Sequence, residues 1–313
     1  MSNNSLEKNG VKIWGGLKET TEDERDAQFG SLFGLPSLSE LPETFVVTTL
    51  GVKDQKESDF CTAYGTTLAS EIQEETPLSP EFQYAMMKKI TGAPIGEWGG
   101  QIRDCLNSAS KIGSLPEEMV PANLRYNGNN REFVADHRNW PAELVTEAEK
   151  YKKGSFARVT GQYDLFDNIR ATIWQANTKY RKSGDESDIK IIVTGAVWRH
   201  AWTTAPDGII PDGNFDGGFG HCFDVIGWTI KGGETYLVAQ LSNGETIGRN
   251  GYYFFNRKVA NFVLPYGQAF TLTDLDRDTL KHLVANKLPA DSFTLLFSRV
   301  VVAITRFIQI FKK

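Results

Sequence analysis

The chain has 313 residues, of which 40% are hydrophobic and 23% are charged, and its net charge at pH 7 is -5 with a pI near 5.5. This composition is typical of a soluble globular protein with a full hydrophobic core. The acidic balance argues against nucleic acid as a partner, because non-specific binding needs a basic surface. The three cysteines and four scattered histidines form neither a disulfide framework nor a zinc-ligand spacing, so we expect no metal site.

The first 43 residues are polar, with an acidic stretch in the middle, and we interpret them as an extended N-terminal arm. The polar start of this arm lacks the apolar core of a signal peptide. No stretch of the sequence reaches the roughly 18 charge-free apolar residues of a membrane-spanning helix. We therefore expect a cytoplasmic protein by default, with release by another route or association with a virus as the alternatives.

Residues 44–267 are predicted to form one α+β domain with a helical first half, about 55–155, and a sheet-forming second half, about 156–267. A short strand is expected at 44–49. Helices are predicted over 61–73, 79–89, 101–111, 141–152 and 164–180. Longer strands are predicted over 191–198, 222–230, 235–241 and 252–255. The interface between two such halves is the expected place for a binding cleft.

The C-terminal extension, residues 268–313, ends in a strongly apolar segment over 293–313. Polar residues recur in this segment in pairs that are seven apart, namely Ser298 and Arg299, Thr305 and Arg306, and Lys312 and Lys313. The spacing predicts an amphipathic helix with one narrow polar stripe. We expect its apolar face to dock on the domain or to form an oligomer contact. A membrane surface is the alternative, because the basic residues suit anionic headgroups.

Cys61 is the candidate nucleophile, because it opens a predicted helix whose N-terminal amides favour a thiolate. Gln55, six residues earlier, offers an amide donor for an oxyanion. A lone cysteine at a helix start is as often a small core residue. The wider segment 51–64, however, resembles the block around the catalytic cysteine of papain-like (C1-type) cysteine peptidases, with the same Gln-to-Cys spacing. It departs from that pattern at Ser58, where the family has a disulfide cysteine, and at Thr62, where tryptophan is common.

His221 is the candidate general base. A lone histidine at a strand start is more often a structural residue. Segment 220–228, however, resembles the family's strand that carries the catalytic histidine, and it follows Cys61 by 160 residues, a separation that agrees with papain-like enzymes. The short arm resembles that of bacterial and viral members of the family.

The residue that orients the histidine departs from the family pattern. Segment 236–252 resembles the family's Asn-Ser-Trp-Gly block, but Leu241 stands at the asparagine position and Asn243 at the tryptophan position. Asn243 shares a strand face with position 241 and could supply the amide, or it is a turn residue before a glycine. Gln240 could do so only with a bulge, since adjacent strand residues point to opposite faces. In the third alternative no amide orients the ring.

Trp98, Gly99 and Gly100 resemble the family's Gly-Gly segment, which lines the cleft and pairs with the substrate backbone. Glycine allows a peptide to approach closely, although a Gly-Gly pair alone is only a turn signal. Gly220, beside the candidate histidine, is assigned to the same substrate-binding group.

The resemblance implies a cysteine-type endopeptidase with a helical half, an antiparallel β-barrel-like half and an active cleft between them. A Cys61 thiolate paired with a His221 imidazolium would attack a carbonyl of a peptide or protein substrate, and Gln55 would hold the oxyanion. No metal or organic cofactor is required. A catalytically degenerate peptide-binding protein, favoured by Leu241 and Thr62, and a cysteine amidase or transferase are the alternatives.

Overall fold

The computed structural model describes residues 5–8, 11–178, 190–213, 217–273 and 275. The amphipathic helix predicted over 293–313 lies outside these residues. Within the described chain, no helix combines the length and apolar character needed to cross a membrane.

The helical half is built around one long central helix. In chain order the α-helices of the described residues are α1 (Phe29–Phe33), α2 (Cys61–Glu74), α3 (Pro80–Thr91), α4 (Ile102–Lys111), α5 (Arg131–Ala135), α6 (Ala142–Ala148), α7 (Leu165–Thr178), α8 (His200–Thr203) and α9 (Arg257–Val263). The start of α3 follows its sequence signals, since the Ser79 side chain accepts a hydrogen bond from the Phe82 N–H and Pro80 occupies the first turn. The helix predicted over 141–152 is shorter than expected and ends in a 3₁₀ turn over Glu149–Tyr151.

Most strands join one mixed sheet. The strands are β1 (Ser5–Lys8), β2 (Val11–Trp14), β3 (Ala27–Gln28), β4 (Phe45–Val46), β5 (Ser155–Arg158), β6 (Ile192–Trp198), β7 (Phe219–Lys231), β8 (Glu234–Gln240), β9 (Tyr252–Asn256) and β10 (Ala269–Thr273). The order across the sheet is β3-β5-β10-β6-β7-β8-β9, and β4 pairs with β7. Pairing is antiparallel except between β3 and β5. Strands β1 and β2 form a separate hairpin.

Strand β7 pairs with three other strands, namely β4, β6 and β8. Its apolar and β-branched residues are buried over most of its length, as the sequence pattern indicates. It begins at Phe219, three residues before the predicted strand, so His221 lies inside the strand and pairs with Ala196 of β6. The sheet also extends beyond the predicted boundary at residue 267, since β10 lies between β5 and β6. The strand predicted over 44–49 is reduced to the two residues of β4.

Helix α2 connects the two halves. Each of its residues from Cys61 to Gln73 is buried, which is expected of a helix packed on several sides. One side packs against the sheet, where Ile72 belongs to the same apolar cluster as Val193 and Ile226. The fold is therefore the predicted α+β arrangement, with the start of α2 facing the start of β7 across the boundary between the halves.

Candidate active site

The thiol of Cys61 lies at the first position of α2 and is fully buried. Its Sγ accepts a hydrogen bond from the backbone N–H of Gly16 at 3.1 Å. Burial raises the pKa of Cys61 to about 12, although the backbone N–H groups of Cys222, Gly16 and Thr62 act in the opposite direction. Burial therefore favours the neutral thiol, while the surrounding N–H groups favour the thiolate.

His221 is also fully buried, and it lies against two aromatic rings. The ring centroids of Trp198 and Phe219 are 5.7 and 6.2 Å from that of the imidazole. Burial lowers the pKa of His221 to about 3, while the Asn243 side chain favours the imidazolium. Neither ring nitrogen has a partner at good hydrogen-bonding geometry among the described residues, so Asn243 is close to the ring without forming a well-aligned bond.

The structure brings the two candidate catalytic residues to the same place from opposite halves. The backbone N–H of Cys222, the residue after His221, lies near enough to the Cys61 sulfur to lower the pKa of the thiol. Among the described residues no hydrogen bond joins the sulfur to the imidazole, since both ring nitrogens lack a partner. Burial favours the neutral form of both groups, and so the closed cleft disfavours the expected thiolate–imidazolium pair. The physical reason is the absence of solvent around them.

Solvent is excluded by the N-terminal arm, which runs through the cleft. Gly100 donates its N–H to the Gly16 carbonyl at 2.8 Å and accepts the Lys18 N–H at 2.9 Å, so that Leu17 and Gly100 pair in parallel. On the other wall, Leu17 donates its N–H to the Gly220 carbonyl at 3.0 Å. The arm therefore forms backbone hydrogen bonds with both halves, through two of the glycines assigned to substrate binding.

Glycines allow this close approach. A Cβ at Gly16 would lie 2.3 Å from the Asp59 carbonyl oxygen, and one at Gly99 would lie 2.1 Å from the Gly16 carbonyl oxygen. A Cβ at Gly220 would lie 1.8 Å from the Leu17 carbonyl oxygen. These positions need glycine because backbone meets backbone. The Arg131 guanidinium lies 3.9 Å from the ring centroid of Trp98.

Gln55 is buried and holds one carbonyl of the arm. Its Nε2 donates to the Trp14 carbonyl oxygen at 2.7 Å, and its Oε1 accepts from the Ser242 hydroxyl at 2.7 Å. The carbonyl can only accept, so the amide has one orientation that satisfies both contacts. Gln55 is therefore oriented to donate to the Trp14 carbonyl oxygen.

Asn243 contacts the same carbonyl, since its Nδ2 donates to the Trp14 oxygen at 3.4 Å. Leu241 is buried in the apolar cluster of the sheet, and the Gln240 amide donates to the Gly51 carbonyl at 2.8 Å. Of the three residues considered from the sequence, Asn243 is thus the one beside His221.

Three features of the site were not assigned from the sequence. Ser242 orients Gln55, Trp198 lies against His221, and the arm occupies the cleft. Ser242 stands at the serine position of the family's Asn-Ser-Trp-Gly block, so the resemblance could have identified it as a site residue. The Gly15-Gly16 pair carried only a turn signal, because its partners are far away in sequence.

No family model matches the sequence, and no curated protein matches it. Several solved structures, however, are similar to this chain. Xylellain, a cysteine protease from Xylella fastidiosa, superposes with a TM-score of 0.62 at 19% identity over 83% of this chain and 96% of that one. For procathepsin B S9 from Trypanosoma congolense the TM-score is 0.57 at 12% sequence identity, and the match covers 82% of this chain and 85% of that one. For bromelain from Ananas comosus, in complex with the E64 inhibitor, the TM-score is 0.50 at 15% sequence identity, and the match covers 75% of this chain and 100% of that one. The chain therefore has the fold of the papain-like cysteine proteases.

Proposed function

We propose that the protein is a cysteine-type endopeptidase that uses Cys61 as nucleophile and His221 as general base. One observation carries the proposal. The chain's own arm lies across the cleft as an extended peptide. The Trp14 carbonyl accepts a hydrogen bond from the Gln55 amide, and the Gly16 N–H donates one to the Cys61 sulfur. The cleft thus binds a peptide backbone, with one carbonyl on the candidate oxyanion donor and, two residues further along, an N–H on the candidate nucleophile.

The reaction requires the arm to leave. Solvent access would lower the pKa of Cys61 and raise that of His221, since burial is the first cause of both shifts. The proton would then pass from sulfur to imidazole, and the thiolate would attack the peptide carbonyl. Gln55 and the backbone N–H of Cys61 would stabilise the oxyanion. His221 would protonate the leaving amine, and water would release the acyl-enzyme.

The arm also marks where a substrate side chain would bind. Leu17 is 4% exposed and packs in an apolar cluster with Ile102, Cys222 and Phe270. The base of this pocket is Gly195, where a Cβ would lie 2.4 Å from Leu17 Cδ2. An aliphatic substrate side chain would fill the same space after the arm is displaced, while Gly100 and Gly220 would pair with the substrate backbone.

Replacing Gly16 with valine should open the cleft. The new side chain would meet the Asp59 carbonyl oxygen, and overpacking of this kind costs about 1–3 kcal/mol. That energy changes the closed-to-open ratio by about 5- to 150-fold. We expect the rate at which a thiol-directed epoxide labels Cys61 to rise by a similar factor, as measured by mass spectrometry over time.

Glu24→Val is the matched control, because it places the same side chain at an exposed position of the arm. Its labelling rate should equal that of the wild type. Equal rates for Gly16→Val and the wild type would show that the arm does not limit access to Cys61.

The activity itself is tested by incubating the Gly16→Val protein with an unfolded protein, with and without a reducing agent. We expect reductant-dependent peptide fragments. A protein that neither reacts with the epoxide nor cleaves would overturn the proposal and favour a peptide-binding role. A protein that is labelled but releases no peptides would favour an amidase or transferase, to be identified by product analysis with amide and amine substrates.

Asn243→Ala should lower kcat, because the imidazole loses its neighbouring amide. Misplacement of a catalytic group by about 1 Å can cost about 100-fold, so we expect a loss between about 10-fold and about 100-fold. Gln240→Ala is the control, since that amide is bonded to Gly51. Rates are compared per site titrated with the epoxide. An equal loss in both variants would argue that Asn243 has no specific role.

A further inference from the structure

The orientation of the His221 imidazole is not explained by its hydrogen bonds. Both ring nitrogens lack a well-aligned partner among the described residues. The χ2 torsion of histidine is broad and roughly two-fold, so the torsion alone does not select one ring orientation. For the ring to present one nitrogen to Cys61, other contacts must limit its rotation.

The indole of Trp198 provides such a contact. It packs edge-to-face against the imidazole, with a centroid separation of 5.7 Å and an interplanar angle of 80°, a favoured geometry for aromatic pairs. Trp198 is the last residue of β6 and is fully buried. It lies on β6, the strand that pairs with β7. The papain-like pattern has a tryptophan at the position of Asn243, so the indole beside His221 comes here from a different part of the chain.

The indole is itself held in place by residues other than His221. Its Nε1 donates to the Thr203 hydroxyl at 3.4 Å, and Tyr253 packs against it at 4.9 Å. The Tyr253 hydroxyl donates to the Thr203 carbonyl at 3.1 Å. Trp202 adds a further edge-to-face contact at 5.5 Å. These contacts fix the indole relative to the sheet.

Phe219, the second ring beside His221, has a different environment. Its ring faces the arm, since a Cβ at Gly15 would lie 2.3 Å from Phe219 Cε2. Part of this contact is lost whenever the arm leaves. Trp198 belongs to the apolar cluster of the sheet, together with Phe223 and Phe255, and its ring contacts with Trp202, Phe223 and Tyr253 are made with residues outside the arm.

We infer that Trp198 is a positioning residue that limits rotation of the His221 imidazole, so that the ring can present one nitrogen to Cys61 when the cleft is open. The inference rests on the proposed function, because the orientation matters only if the imidazole exchanges a proton with the sulfur. Trp198 acts through the histidine, and the substrate does not touch it. A loss of the indole should therefore lower kcat and leave KM unchanged.

The test compares Trp198→Leu with Phe255→Leu in the full chain carrying Gly16→Val. Phe255 lies in the same cluster and stacks on Phe223 with a centroid separation of 5.2 Å, so its replacement removes a comparable amount of core packing. We expect kcat per epoxide-titrated site to fall between about 10-fold and about 100-fold in Trp198→Leu. Phe255→Leu should keep its kcat, and Trp198→Phe should restore most of the loss. Equal kcat in the two leucine variants would overturn the inference.

A second readout does not require turnover. In protein labelled with ¹⁵N-histidine, the His221 ring signals are identified by their loss in His221→Gln. We expect one sharp set in Phe255→Leu and a broadened or doubled set in Trp198→Leu. Unchanged His221 signals in Trp198→Leu would overturn the positioning role even if the protein proves inactive. Absence of turnover and labelling, with altered signals, would instead count against the peptidase proposal alone.

Discussion

Cys61→Ala in the Gly16→Val background should lower kcat by a factor on the order of 10⁵, and His221→Ala should do nearly the same. Alanine at 61 removes the atom that forms the acyl-enzyme. Alanine at 221 removes the group that takes the thiol proton and returns it to the leaving amine. The measurement is the initial rate of peptide release from an unfolded protein, normalised to folded protein by circular dichroism.

The double variant gives the sharper result. Because the two residues act as one unit, removing both should cost little more than removing either one. Additive losses would mean that the sulfur and the imidazole contribute independently, and the proposed proton exchange between them would be wrong. This outcome is separate from a simple folding defect, which would also reduce the circular dichroism signal.

Cys105→Ala is the matched control. All three cysteines are buried free thiols, and burial raises the pKa of Cys105 just as it raises that of Cys61. The Cys105 sulfur, however, donates to the Thr62 hydroxyl at 3.4 Å and lies in the core of the helical half. Its loss should leave kcat close to that of the parent, which would show that the chemistry depends on position rather than on the presence of a thiol.

The parts of the site that local sequence motifs encode could be predicted. Cys61 begins α2 because a helix signal follows it, and the six-residue spacing brings Gln55 back beside that helix start. His221 lies in an apolar run whose composition predicts a strand. In each case residues that are near in sequence determine the local structure, and the α+β segregation follows from the change of hydrophobic period.

The identity of the residue beside His221 could not be decided by strand alternation. Strand β8 ends at Gln240, so the rule that alternate residues share a face no longer applies at Leu241 and Asn243. The isolated antiparallel bridge between Asp54 and Asn243 places the asparagine instead. That contact joins residues far apart in sequence, and no local pattern reports it.

The position of the arm is a tertiary property for the same reason. Leu17 pairs with Gly100 and Gly220, which are remote in the chain. The shifted pKa values of Cys61 and His221 follow from this burial rather than from neighbouring residues. A sequence pattern points to the two candidate catalytic residues, but their charge state depends on whether a distant segment covers them.

Gln55→Ala should lower kcat by about 10²–10³-fold with a small change in KM. The Gln55 amide donates to the Trp14 carbonyl oxygen, which in the proposed function marks the place of the substrate carbonyl. A donor at that position is most valuable when the oxygen becomes negatively charged. Because the negative charge develops only in the transition state, the loss should appear in kcat. Steady-state rates per epoxide-titrated site, in the Gly16→Val background, give both constants.

Two variants separate the donor from its packing. Gln55→Glu keeps the shape but removes the N–H groups and adds an acceptor, so its kcat should fall at least as far as that of Gln55→Ala. Gln83→Ala removes another buried amide, which donates to the Cys105 carbonyl at 3.2 Å away from the cleft, and should alter stability without lowering kcat per site. If Gln55→Glu kept the parent kcat, the shape of residue 55 alone would matter, and the oxyanion would have to be held by backbone N–H groups at the start of α2.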